Sequence, residues 1–160
     1  MRSVMAALVL AALIGACAIQ GKAVQAHVWD PCTGLPDQAL RQAGAVPMTK
    51  NETGQPVGWH VCRWETTNGR YWLVVSSSGD GMSTIRRDAT YSDFQTANVG
   101  DRVGETYLLA NDRRAGCTVG IDTAFGSVHV EMTNEKGESV EVTCPLALSV
   151  SLALLRYLPE

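Results

Sequence analysis

The sequence predicts an α+β fold: a twisted antiparallel sheet of about five or six strands, with a short N-terminal helix and a C-terminal helix packed on it. The strands are indicated by apolar and polar side chains that alternate over 59–65 and 70–76, and again over 117–132. The last helix is indicated by apolar residues three or four positions apart over 146–158. With 160 residues, of which 46% are hydrophobic, the chain has the size and composition of one globular domain.

The first 16 residues have the layout of a secretory signal. Arg2 precedes an apolar run from Val4 to Ile14, and small residues follow this run. The run is too short to be interpreted first as a transmembrane helix, which needs about 20 residues. We therefore expect residues 1–16 to be a signal peptide and the protein to be exported.

The end of this segment is more specific than a general export signal. Leu13-Ile14-Gly15-Ala16-Cys17 resembles the bacterial lipobox, in which the cysteine is lipidated and becomes the first mature residue. The alternative is an ordinary cleavage site beside an incidental cysteine. The lipobox predicts a stable membrane anchor, because two or more acyl chains hold a protein where one does not. It places a lipidated tether over 17–27 and a single domain over 28–160.

The charge of the chain excludes one class of partner. Removal of residues 1–16 takes away Arg2 and leaves 12 basic and 16 acidic side chains, a net charge of −4. The two paired basic sites, Arg86-Arg87 and Arg113-Arg114, each have an aspartate beside them. We therefore expect no nucleic acid as a partner, because its binding needs a basic field that neutralises phosphates.

Four cysteines remain for the mature domain once Cys17 is assigned to the lipid. An even number in an oxidising compartment predicts two disulfides rather than free buried thiols. Three pairings are possible. We favour Cys32 with Cys62 and Cys117 with Cys144, because each bond closes a loop of about 30 residues between neighbouring segments.

The first predicted hairpin turns at Asn68-Gly69. This dipeptide favours a two-residue turn with both residues at positive φ, which matches the twist of paired strands. The register then places Trp64 opposite Leu73 and Cys62 opposite Val75, so that one face of the hairpin is a core face.

The other elements are predicted from shorter patterns. In chain order they are a short helix between Pro36 and Gly44, a helix over 83–97, strands over 103–110, 117–122 and 127–132, and a strand over 139–143. Pro145 is placed at the start of the C-terminal helix, because proline suits a first helical turn. At about 13 residues this helix is too short to span a bilayer. Since Arg156 is its only charge, we expect it to pack deeply on the sheet.

Several of these residues together resemble one protein family. They are Asp30-Pro31-Cys32, Cys62-Arg63-Trp64, Cys117, Cys144 and the terminal Leu158-Pro159. The pattern, which covers Trp29 to Pro159, is similar to the actinobacterial, largely mycobacterial, secreted lipoproteins that share a domain of unknown function (family 3558). The resemblance implies an α+β envelope lipoprotein, supports the lipid on Cys17 and transfers no catalytic residue. Pro36 departs from it, because many members have a Ser or Thr helix cap there.

The motifs of common enzymes are missing from the sequence. It contains no nucleophile elbow, no zinc-binding histidine pair on a helix, no glycine-rich phosphate loop and no Cys-x-x-Cys. His60 and His129 lie on separate predicted strands. We therefore predict no catalytic residue, no metal and no cofactor. The alternative is an envelope hydrolase whose site combines one of these histidines with a distant carboxylate.

Binding is the class of function that the sequence favours. Trp72 and Arg63 point away from the predicted core, and Trp59 stands at the entrance of the first strand. Together they would line a surface for a ligand or protein partner. The alternative is that the C-terminal helix or residues 83–97 cover them. We accordingly expect a non-enzymatic binding module, tethered to the extracytoplasmic face of the cell membrane.

Overall fold

One antiparallel sheet lies at the centre of this computed structural model, which describes residues 28–52, 54–134 and 136–160. Its six strands are β1 (Trp59–Glu65), β2 (Trp72–Ser78), β3 (Tyr91–Val99), β4 (Arg102–Leu109), β5 (Gly116–Thr123) and β6 (Gly126–Thr133). Their order across the sheet is β1-β2-β6-β5-β4-β3, and all neighbours are antiparallel. The α-helices are α1 (Pro31–Gly34), α2 (Asp37–Gln42), α3 (Met82–Ile85) and α4 (Val140–Leu154). This architecture confirms the predicted fold class.

The predicted signal peptide over 1–16, the lipid site Cys17 and the tether over 17–27 lie outside the described residues. Close after the described chain begins, Asp30 caps the one-turn helix α1 by accepting a hydrogen bond from the Cys32 backbone N–H at 2.9 Å. The predicted short helix is α2, which begins after Pro36.

The first hairpin has the predicted register but a different turn. Trp64 pairs with Leu73, as expected. Gly69 has a φ of 63°, whereas Asn68 is not among the residues with positive φ, so the predicted two-residue turn is wrong. The Asn68 side chain explains the difference: its Oδ1 accepts a hydrogen bond from the Arg70 backbone N–H at 3.0 Å and thereby holds a longer loop.

The predicted helix over 83–97 is wrong. Only its first residues are helical, in α3, and the chain enters β3 at Tyr91. Pairing with β4 decides the conformation, because it satisfies the backbone of β3 and places Val99 in the core with 0% exposure. Asp93 has a φ of 57° where the register of β3 shifts, which is the bulge of an edge strand.

The start of the C-terminal helix also differs from the prediction. Residues 139–143 do not form a strand, since Ser139 is the N-cap and Val140 begins α4. Pro145 therefore lies inside the helix rather than at its start. As the sixth residue of α4 it lacks the N–H that would donate to the Glu141 carbonyl, so one helical hydrogen bond is lost, and its ring lies on the exposed side of the helix.

The outer side of this helix is less covered than predicted. With the following 3₁₀ turn it forms an apolar stretch, Val140–Tyr157, of 18 residues and mean hydropathy 1.4, which by length and composition is enough to cross a membrane. The predicted length of about 13 residues, which would be too short to span a bilayer, was therefore wrong. A stripe of Ala147, Val150 and Leu154 packs on the sheet, but only 28% of the stretch is buried. Val142 and Leu152 are each 48% exposed.

Two disulfides connect the helices to the sheet. Cys32 pairs with Cys62, with Cα atoms 5.2 Å apart, and joins α1 to β1. Cys117 pairs with Cys144, with Cα atoms 5.0 Å apart, and joins β5 to α4. These are the pairings that the sequence favoured.

The two faces of the sheet differ in composition. The face that carries α4 is the core; its fully enclosed side chains include Trp64, Leu73, Val75, Val119, Val130, Met132 and Leu154. The opposite face, which we call the outer face, carries the alternate residues of each strand. They include Trp59, Arg63, Trp72, Val74, Tyr107, His129 and Glu131. The predicted binding residues are therefore all on the outer face.

Candidate binding face

One half of the outer face is covered by its own small core. Helix α3 places Met82 and Ile85 against Tyr107, and the half-buried rings of Trp59, Tyr91 and Phe94 pack around them. Gly120 makes this approach possible, because a Cβ atom at that position would lie 2.5 Å from the Met82 Sδ. The Met82 backbone N–H also donates to Asp122 Oδ1 at 2.7 Å. The short helix is thus fastened over β5.

His129 lies beneath this cover with 2% exposure and both ring nitrogens bonded. Its Nδ1 is 2.6 Å from the Tyr107 hydroxyl, and its Nε2 is 2.8 Å from Ser127 Oγ. Ser127 donates its single hydroxyl proton to the Asp80 carbonyl at 2.6 Å. It must therefore accept from the His129 Nε2–H, which leaves Nδ1 to accept from Tyr107. The hydrogen bonds fix one neutral tautomer.

Burial keeps this group uncharged. It lowers the pKa of His129 from 6.5 to about 3, and it raises the pKa of Tyr107 well above its ordinary value of 10. A general base works best with a pKa near the working pH, and the Ser127 proton is directed to a carbonyl rather than to the imidazole. The arrangement therefore has the properties of a structural hydrogen-bond network.

Replacing Tyr107 with phenylalanine should lower the free energy of unfolding by about 1–3 kcal/mol, because it leaves the buried His129 Nδ1 without a donor. The matched control is Tyr91→Phe: this ring packs on Tyr107, but its hydroxyl makes no hydrogen bond to the described chain. We expect the control to change stability by less than about 0.5 kcal/mol. Urea unfolding of the two variants measures the difference, and equal losses would contradict the network.

The other half of the outer face is only partly covered. Here the guanidinium carbon of Arg63 lies 4.6 Å from the centroid of the Trp72 ring, with Arg63 exposed and Trp72 half-buried. Such a contact contributes about 0.5–1 kcal/mol at an exposed site. Val74 separates Arg63 from Glu131 in the strand register and is also half-buried. An aromatic, a basic and an acidic side chain thus lie on one stretch of sheet.

Glu131 is the unusual group of this half. Its side chain is half-buried and makes no hydrogen bond to the described residues. Burial raises the pKa of its carboxyl from 4.5 to about 7. Near neutral pH the carboxyl is therefore present in both forms, so that it can donate a hydrogen bond as well as accept one.

One group of side chains has the spacing of a metal site. Ligand atoms of Cys32, Glu52 and Cys62 lie within 4.8 Å of one another. The two sulfurs are bonded to each other in the disulfide, and thiolates are what a metal binds. In the oxidised protein this group therefore offers a single carboxylate.

Comparison with known proteins places the chain in a family. A family model described as "Protein of unknown function (DUF3558)" matches residues 17–156. The chain belongs to this family. The family is the one expected from the resemblance in the cysteine and tryptophan pattern, and its description assigns no activity. No curated protein and no solved structure matches the chain.

The structure brings two of the three predicted binding residues together. Arg63 and Trp72 are in contact on the partly covered half of the outer face. Trp59 lies instead in the covered half, where its ring centroid is 4.9 Å from that of His129. The alternative interpretation was that the C-terminal helix or residues 83–97 cover the predicted binding residues. The C-terminal helix covers the opposite face of the sheet, whereas residues of α3 and β3 cover Trp59.

The sequence named His129 only as a candidate for an alternative hydrolase site, and it did not single out Glu131. Both titratable side chains lie on the predicted strand over 127–132, among the apolar residues Val128, Val130 and Met132. Titratable residues in an otherwise apolar strand were the signal that the sequence offered. The burial of His129 depends on the rings of Trp59 and Tyr107, which come from distant parts of the chain. His60 is exposed on β1.

Proposed function

We propose that this member of the family is an extracytoplasmic lipoprotein, anchored through Cys17, that binds an envelope ligand or protein partner without catalysing a reaction. The lipobox-like residues 13–17 support the anchor. Two disulfides support an oxidising compartment, because they persist outside the cytoplasm. The binding role rests on the partly covered half of the outer face.

The observation that carries the proposal is the pair formed by Trp72 and Arg63 beside Glu131. Tryptophan and arginine are the residue types that most often dominate binding energy in interfaces. The arginine lies against the indole at 4.6 Å, which favours one orientation of both groups before a partner arrives. Val74 adds an apolar surface between them and the carboxyl.

The chemistry of this surface restricts the partner. It must cover an indole ring with a flat apolar group and place a polar group near Glu131. A half-buried carboxyl with a pKa near 7 accepts a donor when ionised and donates when protonated. A partner that donates a hydrogen bond there should therefore bind more tightly as the pH rises through 7.

Trp72→Ala should weaken capture of the envelope partner by at least tenfold, because alanine removes a central aromatic side chain and the support of Arg63. The measurement is recovery of crosslinked partners from envelopes by the wild type and the variant. Val142→Ala is the control: its side chain is 48% exposed on α4, which packs on the opposite face of the sheet. Equal recovery by wild type and Trp72→Ala would reject this surface as the binding site.

A further inference from the structure

The described chain begins at one end of the sheet, beside a turn and the last residues. Val28 lines a small cavity together with Phe125 and Pro159. The Ala124 backbone N–H donates to the Glu160 carbonyl at 2.8 Å, which holds the last residue against the β5–β6 turn. The β3–β4 turn and the end of α4 lie at this same end, since a Cβ atom on Gly100 would be 2.7 Å from Leu155.

Exposed apolar side chains are concentrated at this end. Phe125 is 58% exposed at the tip of the β5–β6 turn, and Leu152 is 48% exposed near the end of α4. Val57 is fully exposed just before β1, which begins at the same end. Met48 and Val142, which are also exposed, lie toward the opposite end.

A shallow cavity of about 490 Å³ adjoins Leu152. Besides Leu152, its lining includes Arg102, Arg156 and the carboxylates of Asp101 and Glu160. The exposed Leu152 suits contact with acyl chains. Both guanidinium groups are already hydrogen-bonded, that of Arg102 to two backbone carbonyls and that of Arg156 to Gln42 and the Tyr157 hydroxyl. The two carboxylates oppose deep insertion into a layer with anionic lipids, so the contact is limited to the headgroup boundary.

We propose that this end of the domain rests on the membrane surface, with Phe125 and Leu152 in the headgroup region. The inference rests on the proposed lipid at Cys17. The 11 residues over 17–27, which precede Val28, span at most about 40 Å, so the lipid would hold the domain close to the bilayer. The described chain starts at this end, beside Phe125. Contact of this end with lipid would also bury Phe125, Leu152 and Val57, which are exposed to water in the free domain. The partly covered half of the outer face stays free for a partner.

The test places the photoreactive residue p-benzoylphenylalanine at one position at a time in the full chain. The test positions are Phe125 and Leu152, and the controls are Met48 and Val142. Leu152 and Val142 form a matched pair, because they lie on the same helix and are equally exposed. Each protein is irradiated with vesicles of phosphatidylethanolamine and phosphatidylglycerol, and lipid adducts are measured by mass. Since all four positions are exposed, folding should be retained, which the urea unfolding transition of each variant would report.

The expected result is an adduct yield several-fold higher at positions 125 and 152 than at 48 and 142. Equal yields at the four positions, or crosslinks from 125 to a second copy of the chain instead of lipid, would overturn the orientation. The anchor has its own readout: palmitate label on the wild type that is lost in Cys17→Ala. A wild type without label disproves the anchor, while the four-position comparison on added vesicles still decides whether this end contacts lipid.

Discussion

Replacing all four paired cysteines with alanine should lower the free energy of unfolding by about 7 kcal/mol. The two bridges join residues that are 30 and 27 positions apart, and each should contribute about 3–4 kcal/mol by restricting the unfolded chain. A domain of this size is stable by about 5–15 kcal/mol, so the variant would lose much or all of its folded population. Urea unfolding, monitored by tryptophan fluorescence, measures the loss.

The two bridges can be tested separately. Alanine at Cys32 and Cys62, or at Cys117 and Cys144, should each cost about half of the total, because the two loops are similar in length. Cys17→Ala is the control, since Cys17 belongs to neither bridge, and it should leave unfolding unchanged. A double variant that unfolds at the wild-type urea concentration would show that its bridge contributes nothing. Intact mass should rise by four hydrogens on reduction of the wild type.

The pH dependence of stability should expose the opposing effects of His129 and Glu131. The folded state holds the pKa of His129 at about 3, below its ordinary value of 6.5, so its contribution is complete above pH 6.5 and is lost as the pH falls toward 3. The pKa of Glu131 is raised from 4.5 to about 7, so its contribution is complete below pH 4.5 and is lost as the pH rises through 7. Between pH 4.5 and 6.5 the two slopes oppose each other.

Glu131→Gln should therefore reveal the effect of His129 on the pH dependence of stability. We expect its free energy of unfolding to fall by about 1 kcal/mol per pH unit below pH 6.5, and the wild type to change much less between pH 6.5 and 4.5. His129→Gln should show the reverse slope, with stability rising as the pH falls. Above pH 7 Glu131→Gln should be more stable than the wild type, because it has no buried negative charge. The gain should be only about 1–2 kcal/mol, since Glu131 keeps some contact with water.

Urea unfolding at half-unit steps of pH decides this prediction. The slope of each variant is compared with that of the wild type, so that the other carboxylates of the chain cancel. Parallel curves for all three proteins would show that neither group titrates differently in the folded state. The total effect of His129 is limited to about 5 kcal/mol, since one pKa unit corresponds to 1.36 kcal/mol.

Local patterns predicted the parts of the fold that local chemistry determines. The register of Trp64 with Leu73 followed from alternation on both sides of a short loop, and the observed loop preserves it although its conformation differs. The cysteine pairings followed from loop length. Strands β5 and β6 followed from strict alternation of Val, Ile and Met with polar residues.

Errors arose where distant contacts decide the conformation. Tyr91 to Val99 is a strand because β4 pairs with it, and its own apolar spacing does not show this. Residues 140–143 are rich in β-branched side chains, which favour a strand, but they form the first turn of α4, the helix whose Cys144 is bonded to Cys117. The candidate binding face was predicted in part, because strand alternation places Arg63 and Trp72 on one side. It cannot predict that α3 covers Trp59.

The pairing of β2 with β6 has a consequence for how the chain folds. The partners, from Trp72 with Thr133 to Ser78 with Ser127, are about 50 to 60 residues apart in sequence. The β1–β2 hairpin can form early, but Leu73 to Val75 then remain an unpaired, apolar edge until β6 arrives from the far side of the sheet. Non-local pairings of this kind slow folding. Until that pairing forms, this edge is the part of the folding chain that is most exposed to aggregation and to capture by chaperones.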